Sequence, residues 1–185
     1  STKEAAQEVA TLLGLSPKGL DENEVAARRQ NAEQVAAKAR QDEEKAKRKA
    51  CIRAASIMGD CVKGRSPYLS LKHLPDWLAD SNQTLIREAR HNFPQGSLVI
   101  QLTDEHDQLV NVQLIDPQGE KRYLAGGQKA GAFHRLTGGL RVAICEGYAT
   151  GVSVHLATGA TVYCAMDASN LLAVAEIAKR REGTA

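Results

Sequence analysis

The last third of the chain alternates short β-branched runs with segments of helical spacing, and this rhythm restricts the fold more than any other feature. Residues 141–145 (RVAIC) and 161–165 (TVYCA) have the composition of buried strands. Residues 148–157 and 169–181 have the spacing of helices. Strand, helix, strand and helix in succession predict two parallel strands with crossover helices.

The preceding region predicts an antiparallel meander. Strands are expected near 97–103, 109–115 and 120–124, with a shorter one near 131–135, and the turns between the first three carry the sequences DEHD and DPQG. Upstream of the meander, two prolines in GRSPYLSLKHLPDWLAD indicate a loop with a short helical piece around Pro75 to Ala79.

The first 60 residues are predicted to be helical. Residues 22–58 contain no Gly or Pro and are rich in Ala, Glu, Lys, Arg and Gln, which predicts one long helix. Its apolar residues are mostly alanine and its charges alternate in sign, which favours a solvated or loosely packed helix over a core element. A shorter helix is expected from about Thr2 to Leu13, ended by Gly14.

Composition bounds the function classes. The net charge is only +2, so a nucleic-acid site would have to be a local patch. No apolar run reaches the roughly 18 residues of a membrane span, and the start lacks a signal-peptide pattern, so we expect a cytoplasmic protein without a membrane partner. The four cysteines form no C-x-x-C pair, which favours reduced thiols over a zinc site. The sequence contains no phosphate-binding G-x-x-x-x-G-K-[ST] loop, so nothing in it indicates an ATPase.

A single carboxylate, Glu146, follows the first of the predicted parallel strands. Functional groups gather at the carboxyl ends of strands in open α/β sheets, and Gly147 is expected to permit a sharp turn there. A carboxylate at this point can hold a divalent cation. Alternatively, Glu146 stabilises the start of the following helix through its charge. The spacing leaves both interpretations open.

Four stretches, in order, resemble one family. RVAICEGYATGVSVHLATG and ATVYCAMDASNLLAVAEIAKR are similar to the first half of a Toprim domain, the metal-binding module of bacterial primases, topoisomerases and related nucleases. The subfamily most resembled is the Toprim-domain DNA primase of the phage or plasmid (conjugative) type. RSPYLSLKHL and NVQLIDPQGEKRYLAGGQKAGAFHRL resemble its P-Y-L-x-x-K element and meander. The resemblance covers about residues 61–181.

The resemblance implies a set of site residues. Glu146 corresponds to the acidic residue of the Toprim signature, which acts near metal-bound phosphates and as a general acid or base, with Mg²⁺ or Mn²⁺ as the cofactor of a complete domain. Lys121, Arg122, Lys129 and Arg135 match positions where primases place cations beside the template and incoming nucleotides. The alternative for Lys121 and Arg122 is a polar hairpin edge that discourages aggregation.

The sequence departs from the Toprim pattern after the second strand, where the D-x-D pair of a third strand is missing. One carboxylate is a poor cage for Mg²⁺, so the metal site at Glu146 is expected to be incomplete. We therefore expect a fragment of a larger protein, or a natural half-site, truncated within the Toprim domain and inactive alone.

The expected fold class is α+β, in three regions. These are a helical N-terminal region (1–60), a primase-like β-meander subdomain (61–140) and the first half of a Toprim domain with parallel strands (141–185). The expected function is part of a DNA primase catalytic core, a nucleotidyltransferase. It would bind single-stranded DNA and ribonucleotides for RNA primer synthesis in plasmid or phage replication or conjugation. Replication or conjugation proteins would be further partners. The alternatives are a non-catalytic nucleic-acid-binding or interaction module of such a protein, and another Toprim enzyme, a nuclease or topoisomerase.

Overall fold

The structure is a computed structural model that describes residues 22–74, 84–86 and 93–183, together with five residues before position 13. Its class is α+β, as predicted. The elements are α1 (Glu22–Gly59), β1 (Cys61–Lys63), α2 (Pro67–Leu71), β2 (Thr84–Ile86), β3 (Leu98–Thr103), β4 (Leu109–Ile115), β5 (Lys121–Tyr123), β6 (His134–Leu136), β7 (Gly139–Cys145), α3 (Tyr148–Thr158), β8 (Ala160–Cys164), a 3-10 turn (Ala168–Asn170) and α4 (Leu171–Glu182).

Two predicted helical segments fall largely outside the described residues. The helix expected from Thr2 to Leu13 is described only at Glu4, Glu8, Val9, Thr11 and Leu12, which are helical. The piece expected around Pro75 to Ala79 lies entirely outside the described residues. No helix in the described part of the chain is both long and apolar enough to cross a membrane.

The predicted meander forms most of an antiparallel sheet with the strand order β1-β2-β3-β4-β5. Its two tight turns depend on aspartates. The Asp104 carboxylate accepts from the backbone N–H groups of His106 and Gln108. Asp116 accepts in the same way from Gln118 and Glu120. Asp side chains stabilise turns by such local bonds, which is why the DEHD and DPQG signals located both turns correctly.

The second sheet has the order β6-β8-β7 and contains the predicted parallel pair, β7 with β8. The strand expected near 131–135 was predicted to extend the meander, and this is wrong. It lies at His134–Leu136 and pairs antiparallel with β8. A bridge between Phe133 and Thr103, and a bond from the His134 ring to the Gln101 carbonyl over 3.0 Å, link it to the first sheet. A local β pattern predicts a strand but not its partner, because pairing depends on residues distant in sequence.

Helices α3 and α4 pack on opposite faces of β8. Val162 and Cys164 belong to the apolar cluster that includes Tyr148 and Val154 of α3. Tyr163 and Ala165, whose side chains point to the other face, pack with Val174 and Ile177 of α4. All five residues of β8 are buried, as expected for a central strand covered on both faces. This arrangement places the carboxyl ends of β7 and β8 at one edge of the sheet.

The long helix α1 is exposed in its first half, as predicted, and partly buried in its second half. The chain forms two compact units, 1–42 and 43–185, and their boundary falls within α1. The described side chains between positions 23 and 45 are exposed, as predicted for a solvated helix. By contrast, Ala50, Ala54 and Ile57 are at most 1% exposed, and the last two pack against Val112 and Leu114. For this second half the prediction of a non-core helix is wrong, because alanine suits both surface and close packing against a sheet.

Candidate functional site

Glu146 lies at the carboxyl end of β7, beside the carboxyl end of β8. Cys145, the last residue of β7, is the register partner of Cys164, and the Ala165 N–H donates to the Cys145 carbonyl over 2.8 Å. The Glu146 side chain is exposed and forms no hydrogen bond or ion pair with any residue in the described part of the chain. Asp167 follows β8 at the same edge, so two acidic residues lie where functional groups gather in α/β sheets.

Gly147 is not needed for the backbone turn, contrary to the prediction. Its φ of −116° and ψ of 155° describe extended backbone that any residue adopts, and an added Cβ would meet no atom within 4 Å. Gly147 itself is the N-cap of α3, which has no side-chain capping bond. Glu146 therefore precedes the cap position, and its influence on α3 is limited to its charge near the positive end of the helix dipole.

The carboxylates at this edge supply only part of a site for Mg²⁺ or Mn²⁺. Over residues 22–74, 84–86 and 93–183, no three His, Cys, Asp or Glu side chains are grouped to hold a metal. The hydrogen bonds of Asp167 are both accepted at Oδ1, from the Ser169 N–H and hydroxyl. Glu146 thus offers one exposed carboxylate, and water and substrate phosphates would have to supply most of the six ligands of Mg²⁺.

The structure separates the two cations of β5. Successive side chains of a strand point to opposite faces, so Lys121 and Arg122 do not form one patch. Arg122 pairs with Glu120 over 2.6 Å and lies over the Phe93 ring, 5.5 Å from its centroid. Lys121 is exposed and shares its face with Tyr123, whose hydroxyl donates to the Met166 carbonyl at the end of β8.

Arg135 is held inside the fold. Its guanidinium pairs with Glu182 over 2.8 Å and lies 5.7 Å from the centroid of the Tyr163 ring. The Arg135 side chain is 28% exposed and the Glu182 side chain 22%. Because its charge is satisfied by the end of α4, Arg135 contributes to packing of the second sheet rather than to an open cationic surface.

Lys129 lies at the carboxyl end of β8, together with Tyr123 and Asp167. Its ammonium is 4.6 Å from the centroid of the Tyr123 ring. The pKa of Asp167 is lowered, first by the side-chain and backbone hydrogen bonds from Ser169 and also by the charge of Lys129. Of the four predicted cations, Lys129 is the one that the fold brings to the edge where the parallel strands end.

A cleft of about 390 Å³ lies beside Lys129, and the sequence analysis did not predict it. Its apolar lining comes from Leu102, Ala130, Ala132, Ala165, Met166 and Ala173. Its polar lining comes from Tyr123, Lys129, Asp167, Ser169 and Asn170. The sequence signal that was available is the polar run DASN directly after a buried strand. Its meaning depends on Lys129 and Tyr123, which only the folded chain brings beside it.

Asn170 holds the cleft in shape. This side chain is 7% exposed; its Oδ1 accepts from the Gly131 N–H, and its Nδ2 donates to the Ala132 and Ala165 carbonyls at 2.8 and 2.9 Å. These bonds join the loop before β6 to the end of β8. Buried amide groups are costly unless satisfied, so this bonded arrangement makes the cleft a preformed feature.

Comparison with known proteins identifies no family. No protein-family model matches the chain, and no solved structure matches it.

Proposed function

We propose that the chain is part of the catalytic core of a Toprim-type DNA primase of the phage or plasmid class, binding single-stranded DNA and ribonucleotides for RNA primer synthesis. The observation that best supports this is the position of Glu146. It directly follows a strand that has a parallel neighbour, and Gly147 alone separates it from a helix that packs on that neighbour. This is the arrangement that the resemblance predicts for the acidic residue of the Toprim signature.

Lys121 and Lys129 are the cations best placed to hold a nucleic-acid backbone. Both are exposed, and both lie beside Tyr123. Lys121 is on the same face of β5 as Tyr123, and the Lys129 ammonium lies over the Tyr123 ring. Phosphate contacts from lysine position a strand without reading its sequence. Arg122 adds a cation on the other face of β5, while Arg135 acts in folding. The protein would work in the cytoplasm, beside the replication or conjugation proteins of the same element.

These residues are proposed to act in binding and in no metal-dependent step. Mg²⁺ or Mn²⁺ would be the cofactor of a complete Toprim domain, in which further carboxylates would join Glu146 as ligands. The role proposed for Glu146 is to contribute a single carboxylate at the edge where β7 and β8 end.

The binding proposal is tested by fluorescence anisotropy with a labelled oligodeoxythymidine. A Lys121→Ala, Lys129→Ala double variant should bind at least about 10-fold more weakly, and its dependence of log K on log salt should be shallower by about 1.4, since each lost contact to a single strand removes about 0.7. Lys38→Ala with Lys179→Ala removes two exposed lysines elsewhere and is the matched control. Equal affinity and salt dependence in both double variants would contradict the assignment.

The catalytic part is tested at Glu146. Gln keeps the size and hydrogen bonding of the side chain and removes its charge. In a primer-synthesis assay with single-stranded DNA, ribonucleotides and Mg²⁺ or Mn²⁺, we expect no product from residues 1–185 alone. In a longer polypeptide that contains them, Glu146→Gln should abolish most incorporation and leave DNA binding intact. Primer synthesis by residues 1–185 would show that their metal site is complete. A fully active Glu146→Gln variant would show that incorporation does not need the Glu146 carboxylate.

A further inference from the structure

We propose that the cleft at the carboxyl end of β8 binds a ribonucleotide, with Lys129 at the phosphate and Asp167 at the ribose 2′-hydroxyl. This inference deepens the proposed function and rests on it for the choice of a nucleotide as the ligand. The cleft's size, rigidity and charges each support it.

The size and lining of the cleft suit a small molecule with a flat apolar part. Its volume of about 390 Å³ falls within the range of roughly 300–1,000 Å³ that is typical of small-molecule sites. Leu102, Ala132 and Ala165 form a buried apolar floor, at most 2% exposed. Ala130 and Ala173 add small side chains that leave room beside the floor. A nucleobase is a flat ring of this kind.

The cleft is held in one conformation before any ligand binds. Asn170 makes three hydrogen bonds that join its two walls. The Tyr123 hydroxyl adds a bond to the Met166 carbonyl over 2.8 Å. Met166 has a φ of +65°, a left-handed conformation that costs a non-glycine residue energy and persists where the surroundings enforce it. Such preorganisation lowers the entropic cost of binding.

The charges of the cleft match a ligand with an anionic group and hydroxyl donors. Asp167 accepts its hydrogen bonds at Oδ1, and Oδ2 has no hydrogen-bond partner among the residues that the structure describes. The hydrogen bonds from Ser169 keep the pKa of Asp167 low, so the group is an ionised acceptor at neutral pH. A carboxylate of this kind recognises ribose hydroxyls in nucleotide sites. Lys129 supplies the cation that a phosphate needs.

Neither charge alone would select a ribonucleotide. Inorganic phosphate would use only Lys129, and a nucleoside would use only Asp167. A 2′-deoxyribonucleotide would lose the hydrogen bond proposed for Asp167. The combination therefore predicts a preference for ATP over adenosine, phosphate and 2′-deoxyATP.

Isothermal titration calorimetry on the 185-residue chain, with EDTA present, tests the preference. ATP should bind about 10-fold more tightly than 2′-deoxyATP, and adenosine and inorganic phosphate more weakly still. Asp167→Asn keeps the acceptor for Ser169 and removes the charge, so the ratio of the two affinities should fall towards one. Lys129→Ala should weaken both nucleotides by about 10-fold. Ala173→Leu, which fills the cleft, should abolish binding.

Matched controls separate the cleft from general effects. Asp104→Asn alters another aspartate that accepts two bonds at its Oδ1, and Lys179→Ala removes another exposed lysine. Ala175→Leu enlarges a neighbouring alanine of α4. All three should bind ATP as the wild type does. Unchanged ATP binding in Asp167→Asn and Ala173→Leu, or no binding by the wild type, would overturn the inference. Oligonucleotide anisotropy on the same proteins distinguishes the failures, since DNA binding without ATP binding refutes only the cleft.

Discussion

Arg135 and Glu182, which are 47 residues apart in sequence, are joined by hydrogen bonds from Nε and Nη2 of the guanidinium to Oε1, at 3.1 and 2.8 Å. The same oxygen accepts from the Tyr163 hydroxyl over 2.6 Å. These bonds attach the last turn of α4 to β6 and β8. Arg135, which the resemblance assigns to the template, therefore uses its guanidinium to bind Glu182 of the same chain.

Arg135→Ala should therefore destabilise the protein without weakening DNA binding. Removing it leaves the Glu182 carboxylate with one partner fewer, which costs about 1–3 kcal/mol for a bond between charged groups. Chemical denaturation measures the loss, and anisotropy on the folded variant measures DNA affinity. Lys179→Ala, an exposed cation in the last turn of the same helix, is the control. A stable Arg135→Ala variant with weakened DNA binding would contradict the prediction and show that Arg135 contacts DNA.

The second half of α1 should behave as core although its sequence resembles a solvated helix. Ala54→Glu places a charge where the side chain is 0% exposed and packs beside Val112 and Leu114. We expect it to cost roughly 3 kcal/mol or more, because a buried unpaired charge is strongly unfavourable. The adjacent Ala55→Glu, on the exposed face, should stay within about 0.5 kcal/mol of the wild type. Equal stability of the two variants would place the helix outside the core.

Truncation within α1 gives a related prediction. Deleting residues 1–42 removes the first compact unit and should leave cooperative thermal unfolding of the second. Deleting residues 1–55 also removes Ala50 and Ala54, and it should lower the melting temperature because the face of β4 beneath them becomes exposed. Calorimetry of both truncations measures this. Indistinguishable transitions would show that Ala50 and Ala54 contribute nothing to the core.

The sequence predicted the elements well because their signals are local. Alternating β-branched residues, helical spacing and aspartate turns placed β3, β4, β7, α3 and β8 within a few residues of their observed bounds. The class and the parallel pair followed from the order of these elements. Glu146 was correctly expected at the end of β7 for the same reason, since the carboxyl end of a strand can be read directly from the strand.

The contacts between elements could not be read from the sequence. Neither the pairing of β6 with β8 nor the bonding of Arg135 to Glu182 leaves a local pattern. The cleft is a similar case, because Tyr123 reaches Met166 across 43 positions. Alanine and glycine are ambiguous in another way, since their small size suits both exposed positions and close contacts. An added Cβ at Gly147 would meet no atom within 4 Å, whereas one at Gly151, in α3, would lie 2.3 Å from Cys164 Sγ.

His134 predicts a pH dependence of stability. Burial lowers the pKa of its ring, while the Nδ1–H donates to the Gln101 carbonyl over 3.0 Å. A lowered pKa means that the unfolded chain binds the proton first as the pH falls. Stability should therefore be full above the unfolded value of 6.5 and should decline as the pH drops below it towards the folded pKa.

His134→Asn, which retains a donor for Gln101 and cannot titrate, should remove this part of the decline. Urea denaturation from pH 7.5 to 5 would show the free energies of unfolding of the two proteins converging as the pH falls. His106→Asn, in an exposed turn, controls for the loss of a histidine. Parallel profiles for the wild type and His134→Asn would mean that His134 does not titrate differently in the two states.

Gly151→Ala should destabilise the protein, although alanine is the better helix former by about 1 kcal/mol. A Cβ at Gly151 would lie 2.3 Å from Cys164 Sγ and 3.3 Å from a methyl carbon of Val162. Both neighbours belong to the buried β8, so the added methyl forces α3 away from the sheet at a cost of about 1–3 kcal/mol. Thermal unfolding measures the loss.

Two further variants identify the cause of that loss. Gly147→Ala adds the same methyl at the N-cap of the same helix, where no atom lies within 4 Å, and should cost no more than about 1 kcal/mol, the preference for glycine over alanine at an N-cap. Cys164→Ala removes the sulfur that the new methyl would strike, so the double variant Gly151→Ala, Cys164→Ala should be more stable than the sum of the two single changes predicts. Additive single effects would mean that the close approach of α3 to β8 does not account for the glycine at position 151.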